Sequence, residues 1–242
     1  MNTHAIAAEI RSFCSTHGDP KQIVKYARFF REGYDAFGLS QPVFEKQRDV
    51  WLEKYRGELG LAGFLELGDC LIKTGKYEEA SYAISFIIPF KKEWTKETFQ
   101  RVGNWLEQGI GNWAHSDFLC GEVLKPCLAQ KVVAVSDMKE WRKSGTKWKR
   151  RAVPVALLAF VKTPEKIASL LKFIRPMMLD NERVVHQGLG WFLREAWKAN
   201  PKAVEPFLLE WKDSAPRLIF QYATEKMTPR QKARYKARKL KD

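Results

Sequence analysis

Four basic residues crowd the start of one predicted helix in the second half of the chain. Lys147, Lys149, Arg150 and Arg151 all fall in its first turns. Cations at this position oppose the helix dipole, whose N-terminal end is itself positive, so the pattern favours an anionic ligand. A solvated helix end is the ordinary alternative. The first chemistry that these residue types indicate is therefore anion binding.

A second unusual segment is His186–Pro201, with the sequence HQGLGWFLREAWKANP. It has the pattern of one helix that ends before Pro201. Gly188 and Gly190 leave a bare patch beside Trp191, although glycine costs about 1 kcal/mol relative to alanine inside a helix. The bare patch predicts the close approach of a ligand or of another backbone. The alternative without function is tight helix packing around a buried tryptophan.

Charge is distributed unevenly along the 242 residues. Residues 1–137 carry 17 Lys and Arg against 18 Asp and Glu, whereas residues 138–242 carry 25 against 10. The net charge of +14 therefore resides in the second part of the chain. This asymmetry predicts a polyanionic partner, with nucleic acid first and an anionic membrane surface second. A basic surface that only keeps the protein in solution is the alternative.

Several protein classes are disfavoured by the sequence. No run of 18 apolar residues occurs, which argues against a membrane span, and the N-terminus lacks the pattern of a signal peptide. The four cysteines form no CxxC pair and have no histidine at ligand spacing: Cys14, Cys70, Cys120 and Cys127. We therefore expect reduced thiols, no structural zinc and a cytoplasmic location.

The apolar residues repeat at helical rather than strand spacing along almost the whole chain. Helical patterns fall at about residues 3–17, 20–34, 43–57, 59–74, 77–89, 93–109, 111–130, 135–143, 147–162, 164–174, 180–199, 201–211 and 214–226. Because alternation of apolar and polar residues at period two is nearly absent, we predict an all-α fold.

An internal repeat organises these helices. Four helices open with a bulky residue at spacings of 36, 35 and 36: Tyr77, Trp113, Trp148 and Val184. A small residue recurs shortly after each opening: Ala80, Ser116, Ala152 and Gly188. A stacked helix pair of this period is typical of a HEAT-like repeat, so we predict a curved solenoid. Equivalent helices would then line one concave face. We expect one such domain over residues 1–227 and a basic tail over residues 228–242.

Four segments, taken in order, resemble the AlkD-type DNA alkylation repair family of HEAT-like DNA glycosylases. The similarity runs from about residue 20 to residue 225. The segments are GLGWFLREAWKANP (similar to IGWxLREYxKTNP), Trp113 to Asp117 (W-x-x-x-D), Trp148 to Ala152 (W-x-x-R-A), and Ala27 to Arg31 followed by Phe37 and Gly38 (A-R-Y-M-K…F-x-G). The resemblance implies a curved helical stack that holds duplex DNA in a basic groove. It also implies hydrolysis of the N-glycosidic bond of N3- and N7-alkylated purines without a metal or cofactor.

The resemblance also implies roles for particular residues. The catalytic carboxylate falls on Asp117, the two tryptophans beside the lesion fall on Trp113 and Trp191, and the phosphate-binding arginine falls on Arg151. Further candidate DNA contacts share a basic or aromatic side chain near these positions: Lys147, Lys149, Arg150, Arg194 and Phe29.

The chain departs from the family pattern at two places. The family tyrosine falls on Phe29, or is shifted to Tyr26, which removes a hydroxyl. Ala114 stands where a carboxylate is common, a change that we interpret as neutral.

Cleavage of the N-glycosidic bond requires few catalytic groups, because an alkylated purine is cationic and already a good leaving group. No general acid is needed, and a fixed negative charge near C1′ helps as the sugar becomes cationic. Asp117 fits this task and lies four residues after Trp113, on the same helix face. Without the resemblance, Asp117 would be interpreted as a surface acid or as an arginine's partner. The other tryptophans, apart from Trp148 in the matched motif, are expected in the core or at its rim: Trp51, Trp94, Trp105, Trp141, Trp197 and Trp211.

The sequence thus predicts an alkylpurine DNA glycosylase that acts as a monomer on duplex DNA. The alternative is a non-catalytic HEAT-like scaffold that binds damaged or branched DNA. A protein-interaction module is disfavoured by the charge distribution.

The tail is predicted to be a basic helix or a disordered arm that adds phosphate contacts. The alternative is that it is frayed and inert. Its seven basic residues are Arg230, Lys232, Arg234, Lys236, Arg238, Lys239 and Lys241.

Overall fold

A computed structural model of the protein describes residues 2–237. Their regular structure is entirely helical, with no strand in that range, which confirms the all-α prediction. The chain divides into two compact units, Met1–Val123 and Leu124–Asp242. None of the helices in the described range combines the length and apolar character that a membrane span requires.

The first unit, over its described residues 2–123, is built from six α-helices. They are α1 (Thr3–His17), α2 (Pro20–Ala27), α3 (Gln41–Ile72), α4 (Tyr77–Ile87), α5 (Lys96–Gln108) and α6 (Trp113–Leu119), with a 3₁₀ turn at Ile88–Phe90. Helix α3 is kinked at Gly60, where the backbone φ is +53°, so the two helices predicted on either side of that glycine are present. Helix α3 packs against α4. Buried aromatic side chains such as Trp51, Phe64 and Phe86 form the core of this unit.

The described residues of the second unit form seven α-helices. They are α7 (Lys125–Ala129), α8 (Lys147–Ala156), α9 (Ile167–Ile174), α10 (Arg183–Ala199), α11 (Pro201–Trp211), α12 (Arg217–Ala223) and α13 (Pro229–Ala233). Short 3₁₀ turns connect them at Val135–Met138, Glu140–Lys143, Leu157–Phe160, Pro164–Lys166 and Arg175–Met177. Helix α10 is the centre of the unit, because it packs against both α8 and α12.

The predicted repeat matches the helix starts closely. Helices α4 and α6 begin at Tyr77 and Trp113, and helices α8 and α10 begin at Lys147 and Arg183, one residue before the predicted openings. The predicted small residues Ala80, Ser116, Ala152 and Gly188 are all buried. Bulky openings followed by small buried residues therefore mark helices that pack closely.

Three predicted helices are interrupted in the structure. Helix α2 ends at Ala27 instead of residue 34, because Phe30 and Tyr34 leave the helix and stack on each other. The segment predicted at 111–130 contains a π-helical turn, Cys120–Leu124, just before Pro126. A proline lacks the N–H that an α-helix needs and crowds the preceding turn, which accounts for the local widening. The segment predicted at 135–143 forms 3₁₀ turns.

The described part of the tail is packed rather than extended. Thr228 caps the short helix α13, Arg234 pairs with Glu205, and the side chain of Tyr235 is buried. The backbone carbonyl of Tyr235 accepts a hydrogen bond from Arg217 at 3.0 Å. Three of the predicted phosphate contacts lie outside the described residues: Arg238, Lys239 and Lys241.

Candidate active site

Helix α6 carries both Trp113 and Asp117, and its start is fixed by a hydrogen-bond network. The side chain of Asn112 accepts the backbone N–H of His115 at 2.9 Å, which caps the helix. The Asn112 amide nitrogen lies 2.8 Å from His115 Nδ1, and His115 Nε2 lies 2.8 Å from Ser81 Oγ. The imidazole thus connects the start of α6 to α4, which sets the position of the helix that presents Asp117.

His115 is buried and uncharged. Its side chain is 2% exposed, and burial lowers its pKa to about 3. The ring lies against that of Tyr77, with centroids 4.3 Å apart. At neutral pH this histidine therefore positions its neighbours and has no proton to donate as an imidazolium.

Trp113 is an exposed aromatic side chain in a protein whose tryptophans are otherwise covered. It is 44% exposed, and its indole N–H donates to the backbone carbonyl of Phe29 at 3.1 Å. Phe29 is itself 51% exposed, and the Arg28 guanidinium lies over its ring. The six tryptophans expected in the core or at its rim are buried or half-buried, as is Trp148. Trp113 therefore presents an indole surface to solvent.

Asp117 lies one helical turn after Trp113 and is half-buried. A spacing of four residues places both side chains on the same face of α6. The π-helical turn begins three residues later, at Cys120. Single π turns in α-helices are often found at functional sites.

A cavity of about 680 Å³ lies beside Trp113 within the first unit. Aromatic rings dominate its lining, among them those of Tyr26, Phe30, Tyr34, Tyr77, Trp113 and Phe118. Burial raises the pKa of both Tyr34 and Tyr77, so their phenols stay protonated at neutral pH. The ring of Phe30 stacks on those of Tyr34 and Trp113. The cavity has the size and lining typical of a site for a flat organic group.

Glu78 forms part of the wall of this cavity and is not apparent from the sequence. Its side chain is 3% exposed, and its carboxylate accepts the backbone N–H groups of Phe37, Gly38 and Leu39 at 2.7–3.1 Å. Gly38 has φ of +89°, and a Cβ atom there would lie 2.3 Å from the Asp19 carbonyl oxygen. Glu78 therefore fixes the loop at residues 37–39. From sequence, an acid in the first turn of a helix indicates only a favourable interaction with the helix dipole.

The predicted basic residues of the second unit are largely engaged with neighbouring groups. Arg150 pairs with Asp180 at 2.7 Å, and its side chain is 13% exposed. Arg151 is buried, and its Nη1 donates to the Val184 carbonyl at 2.7 Å, which ties α8 to the start of α10. Lys149 is buried with its ammonium over a tryptophan ring. Their predicted contacts with phosphate stay predictions.

The remaining predicted contacts of this unit lie at the start of α8 and along α10. The ammonium of Lys147 lies over the ring of Trp148, 5.6 Å from its centroid. Arg194 is in ion pairs with Glu195 and Glu225, which offset its charge. Trp191 is half-buried. Its role beside the lesion also stays a prediction.

The two glycines of α10 allow other helices to approach. A Cβ atom at Gly190 would lie 2.4 Å from Tyr222 Cβ and 2.7 Å from the Ile219 carbonyl oxygen, both on α12. At Gly188 it would lie 3.3 Å from Pro154 on α8. The bare patch left by the two glycines is therefore occupied by neighbouring helices, which is the predicted close approach of another backbone.

Comparison with known proteins identifies the family. The sequence profile of the DNA alkylation repair enzyme family matches residues 11–227, and the chain belongs to this family. Among solved structures, it is similar to a predicted DNA alkylation repair enzyme from Enterococcus faecalis. That match has a TM-score of 0.71 and 17% identity, and it covers 88% of this chain and 98% of the other. No curated protein matches the chain.

Family membership places the protein in DNA alkylation repair and implies that it binds DNA. The structural similarity, at its low sequence identity, shows a shared fold. It agrees with the fold that the resemblance predicted.

Proposed function

We propose that this protein is a DNA glycosylase that excises N3- and N7-alkylated purines from duplex DNA and leaves an abasic site. The observation that supports this most directly is helix α6. An exposed indole and a carboxylate stand one turn apart on a helix whose start is anchored by Asn112 and His115. A carboxylate beside an exposed indole can face positive charge that develops on a bound nucleotide.

The reaction proposed is hydrolysis at C1′ of the damaged nucleotide. The bond between C1′ and N9 breaks, and its electron pair neutralises the cationic alkylpurine, which leaves as a neutral base. The oxygen of a water molecule bonds to C1′, and a proton is released to solvent. No proton needs to be delivered to the base, so the absence of a protonated histidine beside Trp113 is compatible with this chemistry.

Asp117 is assigned the stabilisation of the sugar as positive charge develops. A carboxylate at about 4 Å from such a charge contributes on the order of 4 kcal/mol at an intermediate effective dielectric. The indole face of Trp113 adds a weaker attraction of the same sign. Because both groups favour positive charge on the sugar, which develops only in the transition state, they increase the rate and not merely the affinity.

The rival function is a non-catalytic scaffold for damaged or branched DNA. Its support is the basic second part of the chain, which suffices to bind duplex without chemistry. A scaffold does not require a carboxylate beside an exposed indole on α6.

Release of free base distinguishes the two functions. Duplexes that contain N7-methylguanine or N3-methyladenine, with an undamaged duplex as control, would be incubated with enzyme in excess and the free bases separated by chromatography. We expect release from at least one alkylated duplex and none from the control. Binding without release from either lesion would exclude the glycosylase and leave the scaffold.

A further inference from the structure

A second cavity lies within the second unit, and none of the residues assigned above to DNA or to catalysis lines it. It has a volume of about 850 Å³ and lies among the end of α7, the 3₁₀ turns at Val135–Met138 and Glu140–Lys143, and helix α9. Its floor is apolar, with Leu128, Val133 and Leu170 buried and two phenylalanines half-buried. We call this cavity the α9 groove.

The rim of the α9 groove is basic. It carries Lys131, Lys139, Lys166 and Lys172, all exposed, together with Arg142. Among the described residues that line it, none carries a carboxylate. Within residues 2–237, none of these four lysines is in a salt bridge. By contrast, two arginines predicted above as DNA contacts, Arg150 on α8 and Arg194 on α10, are paired with carboxylates.

The conformation of Lys131 is a separate indication that its side chain matters. Helix α7 ends in a Schellman motif, with the N–H of Lys131 bonded to the Leu128 carbonyl and the N–H of Val132 bonded to the Cys127 carbonyl. The residue in the left-handed position of this motif is usually glycine. Here it is Lys131, with φ of +61°, and it is the one non-glycine residue of the described range with positive φ. A lysine on the rim is therefore held in a backbone conformation that is strained for residues other than glycine.

We propose that the α9 groove binds an acidic segment of a partner protein that carries apolar anchor residues. Several unpaired cations match several carboxylates, and the apolar floor matches leucine or phenylalanine side chains between them. Such a segment would contact both the basic rim and the apolar floor of the groove.

Nucleic acid fits the groove less well. A phosphate backbone would leave the apolar floor without a partner. Stacking of bases is also hindered, because Lys166 lies 4.5 Å from the centroid of the Phe160 ring and Arg142 lies 4.5 Å from that of Phe173. The guanidinium of Arg142 is further held by the Phe173 carbonyl at 2.8 Å.

The test uses the full-length protein and a fluorescein-labelled synthetic peptide of twelve residues, with acidic residues alternating with leucine and phenylalanine. Binding is measured by fluorescence anisotropy. Two control peptides replace either all acids by glutamine or all apolar residues by serine. We expect each control peptide to bind at least about tenfold more weakly, since rim charges and floor contribute together.

Variants locate the binding site. Lys131→Gly and Lys172→Gln each remove one rim charge, and the double variant should weaken peptide binding about fivefold to tenfold. Lys202→Gln removes an exposed lysine on α11 that does not line the groove, and its affinity should stay within about twofold of that of the original protein. Thermal melts check folding, and Lys131→Gly is expected not to lower the melting temperature, because glycine suits the left-handed position.

Two results would overturn the proposal. One is equal peptide affinity for the double variant and for Lys202→Gln, with all proteins folded. The other is a loss of duplex DNA affinity in the double variant combined with displacement of the peptide by undamaged duplex, which would make the groove a nucleic-acid contact.

Discussion

At the scale of single residues, His115 shows how a buried neutral side chain can order the start of a helix. Its imidazole bridges the Asn112 cap and Ser81, and so fixes the helix that presents Trp113. Because burial lowers its pKa to about 3, the arrangement depends on the ring remaining uncharged.

This gives a prediction for stability against pH. The folded pKa of His115 lies below the unfolded value of about 6.5, so between pH 3 and 6.5 the unfolded chain binds more protons and stability falls as the pH falls. Between pH 6 and pH 4, the original protein should lose roughly 2 kcal/mol more unfolding free energy than His115→Gln. Urea denaturation at several pH values measures both proteins, and the other titrating groups cancel in the difference. Parallel stability curves would show that His115 is not buried in its neutral form.

At the scale of elements, the glycines of α10 allow close packing of neighbouring helices. Gly190 has α12 against it, whereas Gly57 in α3 has no neighbouring atom within 4 Å of a Cβ atom built there. The two positions are a matched pair, because both lie within helices and differ in what surrounds them.

The same substitution should therefore have opposite effects at these two glycines. Gly190→Ala is expected to destabilise by about 1–3 kcal/mol through overpacking against Tyr222. Gly57→Ala is expected to stabilise by about 0.5–1 kcal/mol, because alanine is the better helix former. Chemical denaturation followed by circular dichroism gives both values. A neutral Gly190→Ala would mean that α12 can move away from α10 at little cost.

Elements were more predictable from sequence than the site was. The periodicity of apolar residues identified the helices, and the recurring bulky and small residues placed four helix starts to within one residue. The end of α2 was not predictable, because Phe30 and Tyr34 are drawn out of the helix by ring packing with residues distant in sequence.

The residues around the site were predictable only in part. Trp113 and Asp117 were identified by resemblance, and the structure shows the first to be exposed and the second half-buried. Glu78 and His115 gave no signal, because their importance comes from backbone groups and side chains of other elements. Periodicity likewise could not show that Arg150 would find a partner 30 residues away in Asp180.

At the scale of the whole molecule, the excess of basic residues after residue 137 is the feature that matters for a DNA-binding protein. Affinity for duplex should fall as salt rises. Basic side chains of the protein displace counterions from the DNA, and the release of these counterions is less favourable at high salt. If about 5 phosphates are neutralised, the logarithm of the binding constant should fall with a slope near −4 to −5 against the logarithm of salt concentration. Fluorescence titrations of undamaged duplex between low and physiological salt measure it. A flat response would contradict the basic-surface account.

Truncation after residue 237 tests the end of the chain separately. It removes Arg238, Lys239 and Lys241 but keeps Tyr235, whose buried side chain belongs to the folded unit. We expect unchanged helix content and a salt slope that is smaller by about 1 to 3, because up to three phosphate contacts are lost. An unchanged slope would show that these residues are not DNA contacts.

The central claim is that Asp117 stabilises a cationic transition state, and the variant Asp117→Asn tests it most directly. The amide keeps the shape of the side chain and removes its charge. A carboxylate repels phosphate in the ground state but attracts the sugar as it becomes cationic. Binding and excision should therefore respond differently to the substitution.

The decisive measurement is single-turnover release of N7-methylguanine from duplex at saturating enzyme, alongside a binding titration of the same duplex. For Asp117→Asn we predict unchanged or slightly higher affinity and excision slower by on the order of 10²-fold or more. Helix content, followed by circular dichroism, should not change. Excision at the original rate, or joint loss of affinity and helix content, would contradict the assignment and make Asp117 a structural residue.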